Sequence, residues 1–280
     1  MNSKILSSTA IGLGLVLAFA VGAGASSQAS QIRVTATMTA AQEVPSPGGD
    51  VSQAGGKFTA TVTRSGNGAT VAWRLTFHDL TGNANAAHIH IGAVGQSGPV
   101  VVPLCGPCDD NATGSGTMDA AAIAALQQGR AYVNVHTSRN PAGEIRGQLA
   151  IVASVRAALV PGQERPRPTG ALRKAHGLFT GTLTKTPAGT TVLQWRLTFS
   201  GLTGKAIAAH VHNGVRGKAG PVIVPLCGPC RSGKHGKVTL SASVVKAFES
   251  GRAYVNVHTK RNPGGEIRGQ LPAAALTLSP

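Results

Sequence analysis

The chain has 280 residues, a formal net charge of +16, and only 4% aromatic and 13% charged residues. That is long enough for two domains of roughly 120 residues, each with its own core. Scarce aromatics, and no basic helix interleaved with them, argue against a nucleic-acid-binding protein. The charge is lopsided. Residues 32–152 carry seven Lys/Arg against seven Asp/Glu, whereas residues 153–280 carry eighteen against three. A field of that sign favours an anionic partner, an envelope or extracellular polymer, met through the basic second half.

Residues 1–25 read as a signal peptide. Lys4 supplies the positive start, Ile5 to Val21 a mostly apolar run, and Ala23-Gly24-Ala25 a small-residue cleavage site. The mature chain is then expected to be exported, secreted or periplasmic, without a membrane anchor. After it come short runs rich in Val, Thr and Ile, bounded by Gly, Pro and Asn. They are Ile32–Thr39, Lys57–Arg64, Thr70–His78, Ala86–Ile91, Val100–Leu104 and Thr113–Met118, then Ala131–Thr137 and Glu144–Val152. Period-2 alternation with frequent turn signals predicts an all-β sandwich. One helix interrupts the strands, with Asp119 capping Ala120–Gln128 and Gly129 closing it.

The pattern then repeats with a shift of 122. Arg130–Leu149 matches Arg252–Leu271 at 18 of 20 positions, and Trp73/Trp195, Glu144/Glu266 and the Cys pairs keep the offset. The second helix is expected after Ser241 or Ser243, closed by Gly251. The predicted organisation is two tandem domains, 32–152 and 153–275, with no clear linker. The Pro-rich segment 161–168 aligns with 41–47 through Gln42-Glu43 and Gln163-Glu164, so it is a loop inside the second repeat.

Two histidines one residue apart on a strand share a face. His88 and His90 therefore point together, as do His210 and His212. In Tyr132–His136 the same period groups Tyr132, Asn134 and His136, and in the last strand Glu144, Arg146 and Gln148. If these strands are neighbours, three imidazoles converge with an Asn, a carboxylate and a guanidinium. Three His with an open position suit copper or zinc; a hydrogen-bonded network serving the fold alone is the competing reading. His78, His176 and His235 have no counterpart in the other repeat and read as surface, and Trp73 and Trp195 as core.

Cys105-Gly106-Pro107-Cys108 and Cys227-Gly228-Pro229-Cys230 follow β-runs and precede polar, Gly-rich sequence, without the strand-to-helix context of a redox CxxC. In an exported chain each pair is expected to close a local disulfide. Thiol redox chemistry and a zinc site shared by the two loops are the alternatives.

Ala-Gln-Glu-Val-Pro (41–45), Ala-Ala-His-Ile-His-Ile-Gly (86–92), Gly-Pro-Val-Val-Val (98–102), Tyr-Val-Asn-Val-His-Thr (132–137) and Gly-Glu-Ile-Arg-Gly-Gln-Leu (143–149) resemble the CHRD domain, the chordin-type module. The resemblance implies Greek-key β-sandwiches in an extracellular setting and assigns little biochemistry. The order of His-X-His-X-X-Gly, Val-X-Val-His and a late Arg is also distantly similar to the copper half of copper–zinc superoxide dismutases. That similarity implies copper on His88, His90 and His136, and on His210, His212 and His258, with Arg146 and Arg268 attracting a small anion. The zinc-holding loop of those enzymes is absent, and Glu144 and Glu266 are expected to set negative charge beside the arginines. The function expected is an exported binding or structural module with one copper or zinc ion per domain. The enzymatic alternative is a copper-dependent, dismutase-like oxidoreductase; the non-metal alternative is adhesion to anionic polymer.

Overall fold

A computed structural model describes residues 31–278; the expected signal peptide lies outside them. The first domain runs β1 (Gln31–Thr39), β2 (Gly55–Ser65), β3 (Gly68–His78), β4 (Ala84–Ile91), β5 (Val100–Cys105), β6 (Thr113–Met118), α1 (Ala120–Gln127), β7 (Ala131–Thr137) and β8 (Ile145–Gln148). The second repeats it as β9 (Ala150–Leu159), β10 (His176–Lys185), β11 (Thr191–Ser200), β12 (Ala206–Asn213), β13 (Val222–Cys227), β14 (His235–Leu240), α2 (Ala242–Glu249), β15 (Ala253–Thr259) and β16 (Ile267–Gln270). No described helix is long and apolar enough to cross a membrane.

Each domain is a sandwich. In the first, β6-β3-β2-β1 face β8-β7-β4-β5, all neighbours antiparallel, with β3 beside β6 and β4 beside β7. Those two pairings are the crossovers of a Greek key. Alternation builds the core. Phe58, Val62, Val71 and Leu75 from one sheet meet Ile89, Val102, Val133, Val135 and Ile145 from the other, each 0% exposed. Trp73, 6% exposed, lies flat across its β6 partner Gly114, where any side chain would collide with the indole. Trp195 and Gly236 repeat the arrangement, so both Trp are core residues as expected. Burial on this scale stabilises by roughly 1.5–3 kcal/mol per large apolar side chain.

The expected run Glu144–Val152 is in fact two strands. Leu149 turns into the core and its N–H bonds the carbonyl of Ala131; from Ala150 the chain has crossed to the other sheet. There β9 does two jobs. It pairs along its length with β10, and its first residues pair with β1: Arg33 with Val152, Val34 with Ile151, Thr35 with Ala150. The outer sheets of the two domains thereby join into one run of eight strands, β6-β3-β2-β1-β9-β10-β11-β14. A second contact reinforces the joint. Gly129, at φ 72°, brings its Cα so close to Pro187 of the β10–β11 turn that a Cβ would overlap the Pro187 carbonyl.

The cysteines close two local disulfides, Cys105–Cys108 and Cys227–Cys230, with Cα separations of 5.2 and 5.3 Å. Each loop is tied to the start of the neighbouring strand through Cys108 N–H to Ala84 and Cys230 N–H to Ala206. No helix begins at either loop, and the four sulfurs are used within their own domains.

Candidate metal centres

The inner sheet β8-β7-β4-β5 has a second face, turned away from the core and roofed by loops. Register places His88 opposite Asn134, His90 opposite Tyr132 and Ala86 opposite His136, so the pleat sends the three imidazoles to that face while Ile89, Val133 and Val135 go to the core. His88 Nδ1 lies 3.1 Å from His136 Nε2, and one nitrogen from each of His88, His90 and His136 falls within 4.8 Å of the others. His210, His212 and His258 form the same group, with His210 Nδ1 3.1 Å from His258 Nε2.

The outward ring nitrogens define the tautomers. His90 Nδ1 is 2.9 Å from the Gly98 carbonyl and His136 Nδ1 is 3.0 Å from the Pro141 carbonyl. A carbonyl can only accept, so each Nδ1 carries the proton and donates it, and each Nε2 presents a lone pair to the group. His90 Nε2 is buried with the Asn134 side chain beside it and makes no hydrogen bond of good geometry. The second domain repeats this: His212 donates to Gly220 at 2.9 Å and His258 to Pro263 at 2.9 Å, and His212 Nε2 is again buried and unpartnered. Two nitrogens bound to one ion at ~2.0–2.1 Å in a tetrahedral site lie about 3.3 Å apart, close to the 3.1 Å His88–His136 separation. The donor set fits a transition metal. Burial, together with His136 and His90 nearby, pulls His88 below the usual histidine range; burial does the same to His90 and His136. The rings are therefore neutral and lone-pair-bearing at neutral pH, as metal ligation requires.

Behind the rings lies a polar stack. His90 stacks on Tyr132 (centroids 4.8 Å, interplanar 10°), and the Arg146 guanidinium carbon sits 3.5 Å from the centroid of the same ring. Arg146 is 1% exposed and donates to the Ala93 carbonyl (2.9 Å) and Gln148 Oε1 (3.3 Å). Arg268, also 1% exposed, stacks on Tyr254 at 3.4 Å and donates to Lys218 and Val215 carbonyls at 2.8 and 3.0 Å. Both arginines are buried in this layer, and Arg146 Nη1 has no hydrogen-bond partner among the described residues.

The carboxylate beside the arginine is Glu43, not Glu144. Glu43 is 4% exposed, lies against Asn134, and feels the Arg146 charge. Burial pushes its carboxyl above the ordinary range despite the Val44 N–H, Asn134 and Arg146. Glu164 takes the same place in the second domain. Gly143, at φ 132°, leaves the space: a Cβ there would fall on Glu43 Oε2 and within 2.7 Å of Asn134 Nδ2.

Glu144 precedes β8 and turns elsewhere. It accepts from Thr81 N–H (2.6 Å), Thr81 Oγ1 (2.5 Å), Thr137 Oγ1 (2.6 Å) and Asn140 Nδ2 (2.8 Å). Burial raises its pKa, but these four donors outweigh burial and hold it below the usual range. Glu266 does the same with Thr203, Thr259 and Asn262. The Asn140–Pro141 turn that Glu144 secures carries the carbonyl that orients His136, so Glu144 is a positioning residue. Sequence reasoning missed Glu43, Thr81 and Asn140, although Gln-Glu, Leu-Thr-Gly and Arg-Asn-Pro recur in both repeats. The unmatched His78, His176 and His235 are exposed.

The CHRD domain family profile matches residues 34–149 and again 155–271. The chain belongs to the CHRD family and carries two copies of its domain. No curated protein and no solved structure matches it.

Proposed function

We propose that this protein is an exported tandem CHRD binding module in which each domain holds one copper or zinc ion, on His88, His90 and His136 in the first and on His210, His212 and His258 in the second. The observation that carries the reading is the buried, unpartnered Nε2 of His90 and of His212, each left bare because its Nδ1 is committed to a carbonyl. A lone buried acceptor costs about 1–3 kcal/mol; a metal ion at that point satisfies it and its two neighbours. Three protein ligands leave a position for water or a small donor supplied by a partner. Two local disulfides and membership of the CHRD family support an oxidising, extracytoplasmic setting.

The test is metal analysis of the chain purified from its native compartment, followed by titration of the stripped protein with Cu(II) and Zn(II) near pH 7. Two ions per chain are expected, one after His90→Ala or His212→Ala, and none in the double variant. No uptake by the unmodified chain would leave a hydrogen-bonded network serving the fold. Superoxide-dependent turnover by the copper-loaded chain would turn the reading into an oxidoreductase, against which the burial of Arg146 and Arg268 speaks.

A further inference from the structure

The outer face of the eight-stranded run carries one sign of charge. None of its strands contains an Asp or a Glu. The outward positions bear six exposed cations: Arg33, Lys57 and Arg74 from the first domain, Arg156, Arg196 and Lys237 from the second. Only Arg74 has a partner, the Asn111 side chain at 2.7 Å; the other five make no side-chain hydrogen bond or ion pair among the described residues. The first domain is neutral in total, yet none of its seven carboxylates is on a strand of this sheet; Asp110, in the loop before β6, accepts from the Phe77 N–H of β3 at 2.9 Å.

Between the cations the outward positions mix Thr and Ser hydroxyls with Ala and Val side chains. Register carries one unbroken row across both domains, Ser115–Ala72–Thr61–Arg33–Val152–Thr184–Val192–Thr239. A second row, Arg156–Thr180–Arg196–His235, flanks it. At the joint, Arg33, Thr35, Thr59, Arg74, Ser154 and Thr182 line a shallow depression. From Arg74 on β3 to Lys237 on β14, six interstrand steps of ~4.8 Å spread the charges over about 29 Å, which suits a ligand of repeating charge rather than a single ion. No Phe, Tyr or Trp points outward to stack a base, and the sheet offers no helix for a groove, so a nucleic acid fits poorly.

We propose that this face, spanning both domains, binds a linear acidic polysaccharide, its carboxylates on the six cations and its hydroxyls on the Thr and Ser side chains between them. The seat is then the joined sheet, not the basic second domain alone, and it is independent of the metal centres.

The test is retention of the full chain, in chelator, on immobilised polygalacturonate, with thermal melts confirming the fold of each variant. Replacing Arg33, Lys57 and Arg74 by Thr should weaken binding at fixed salt roughly tenfold or more, as counter-ion release predicts. The same change at Arg156, Arg196 and Lys237 should do likewise. Replacing Lys205, Lys218 and Lys246, three exposed cations off the face, removes equal charge and should change binding by less than about twofold. Thr61→Glu with Thr182→Glu should weaken binding without removing a cation. If the off-face set costs as much as either face set, net charge alone is responsible and the proposal fails. It fails equally if the first-domain set has no effect, or if duplex DNA competes better than the polysaccharide with the same variant profile.

Discussion

At the scale of single residues, the buried carboxylates and imidazoles set what each substitution does. Glu144→Gln keeps the shape but puts an amide N–H₂ where one of the two carboxylate oxygens accepted, facing at best the Thr81 N–H and at worst the three donors on the other oxygen, so a cost of about 1–3 kcal/mol is expected in denaturant titration. A change under ~0.5 kcal/mol would mean that the four contacts are dispensable. The histidines make a pH prediction. All six ligand-set imidazoles are held below their ordinary value by burial, and His210, with His258 and His212 beside it, falls from 6.5 to about 4. The unfolded chain therefore takes up protons first as pH falls, and the metal-free fold loses stability from pH 6.5 down to about 4 at His210. Glu43 and Glu164, raised by burial, act in the opposite direction. The comparison that isolates His210 is the slope of Tm against pH across that window. It should flatten in His210→Phe, and an unchanged slope would refute the assignment.

At the scale of elements, the two helices take equivalent places in the repeats and differ in their caps. The Asp119 carboxylate accepts from Ala122 N–H at 2.7 Å, whereas Ser241 makes no cap bond and its hydroxyl meets Ser243 at 3.1 Å. Asp119→Ala should cost about 1 kcal/mol, and Ser241→Ala under about 0.5 kcal/mol; equal losses in chemical denaturation would contradict the geometry. Strands were the most legible elements where burial on one face is written as alternation: the expected runs Ile32–Thr39 and Thr70–His78 fall within β1 and β3. The histidine triads were legible for the same reason, since a period of two sets His88 with His90. Glu43 was not, because it follows a single 3-10 turn, where no period assigns a face. Glu144 was placed on the wrong face by carrying the period of β8 one residue beyond its start. The junction at Leu149–Ala150 left no turn signal, because two strands abut there.

At the scale of the whole molecule, the joint between β1 and β9 decides what the halves would do apart. Cutting at Leu149 would strip β1 of its neighbour and leave Arg33, Val34 and Thr35 as an open sheet edge. The fragment 31–149 is expected to show concentration-dependent dimerisation in sedimentation equilibrium, abolished by Thr35→Pro; a fragment monomeric at every concentration would show that the edge is not adhesive. The reason lies in the register. Aligned through Gln42-Glu43 and Gln163-Glu164, Ile32 and Ala153 are equivalent positions, and the register of Arg33 with Val152, continued by one residue, sets them opposite each other. A strand pair centred on equivalent positions obeys a two-fold axis, as an isologous homodimer contact does. The covalent link from Leu149 to Ala150 makes that contact intramolecular, at an effective concentration on the order of millimolar or above. A contact too weak to hold two separate CHRD domains together in dilute surroundings outside a cell would hold these two at any dilution.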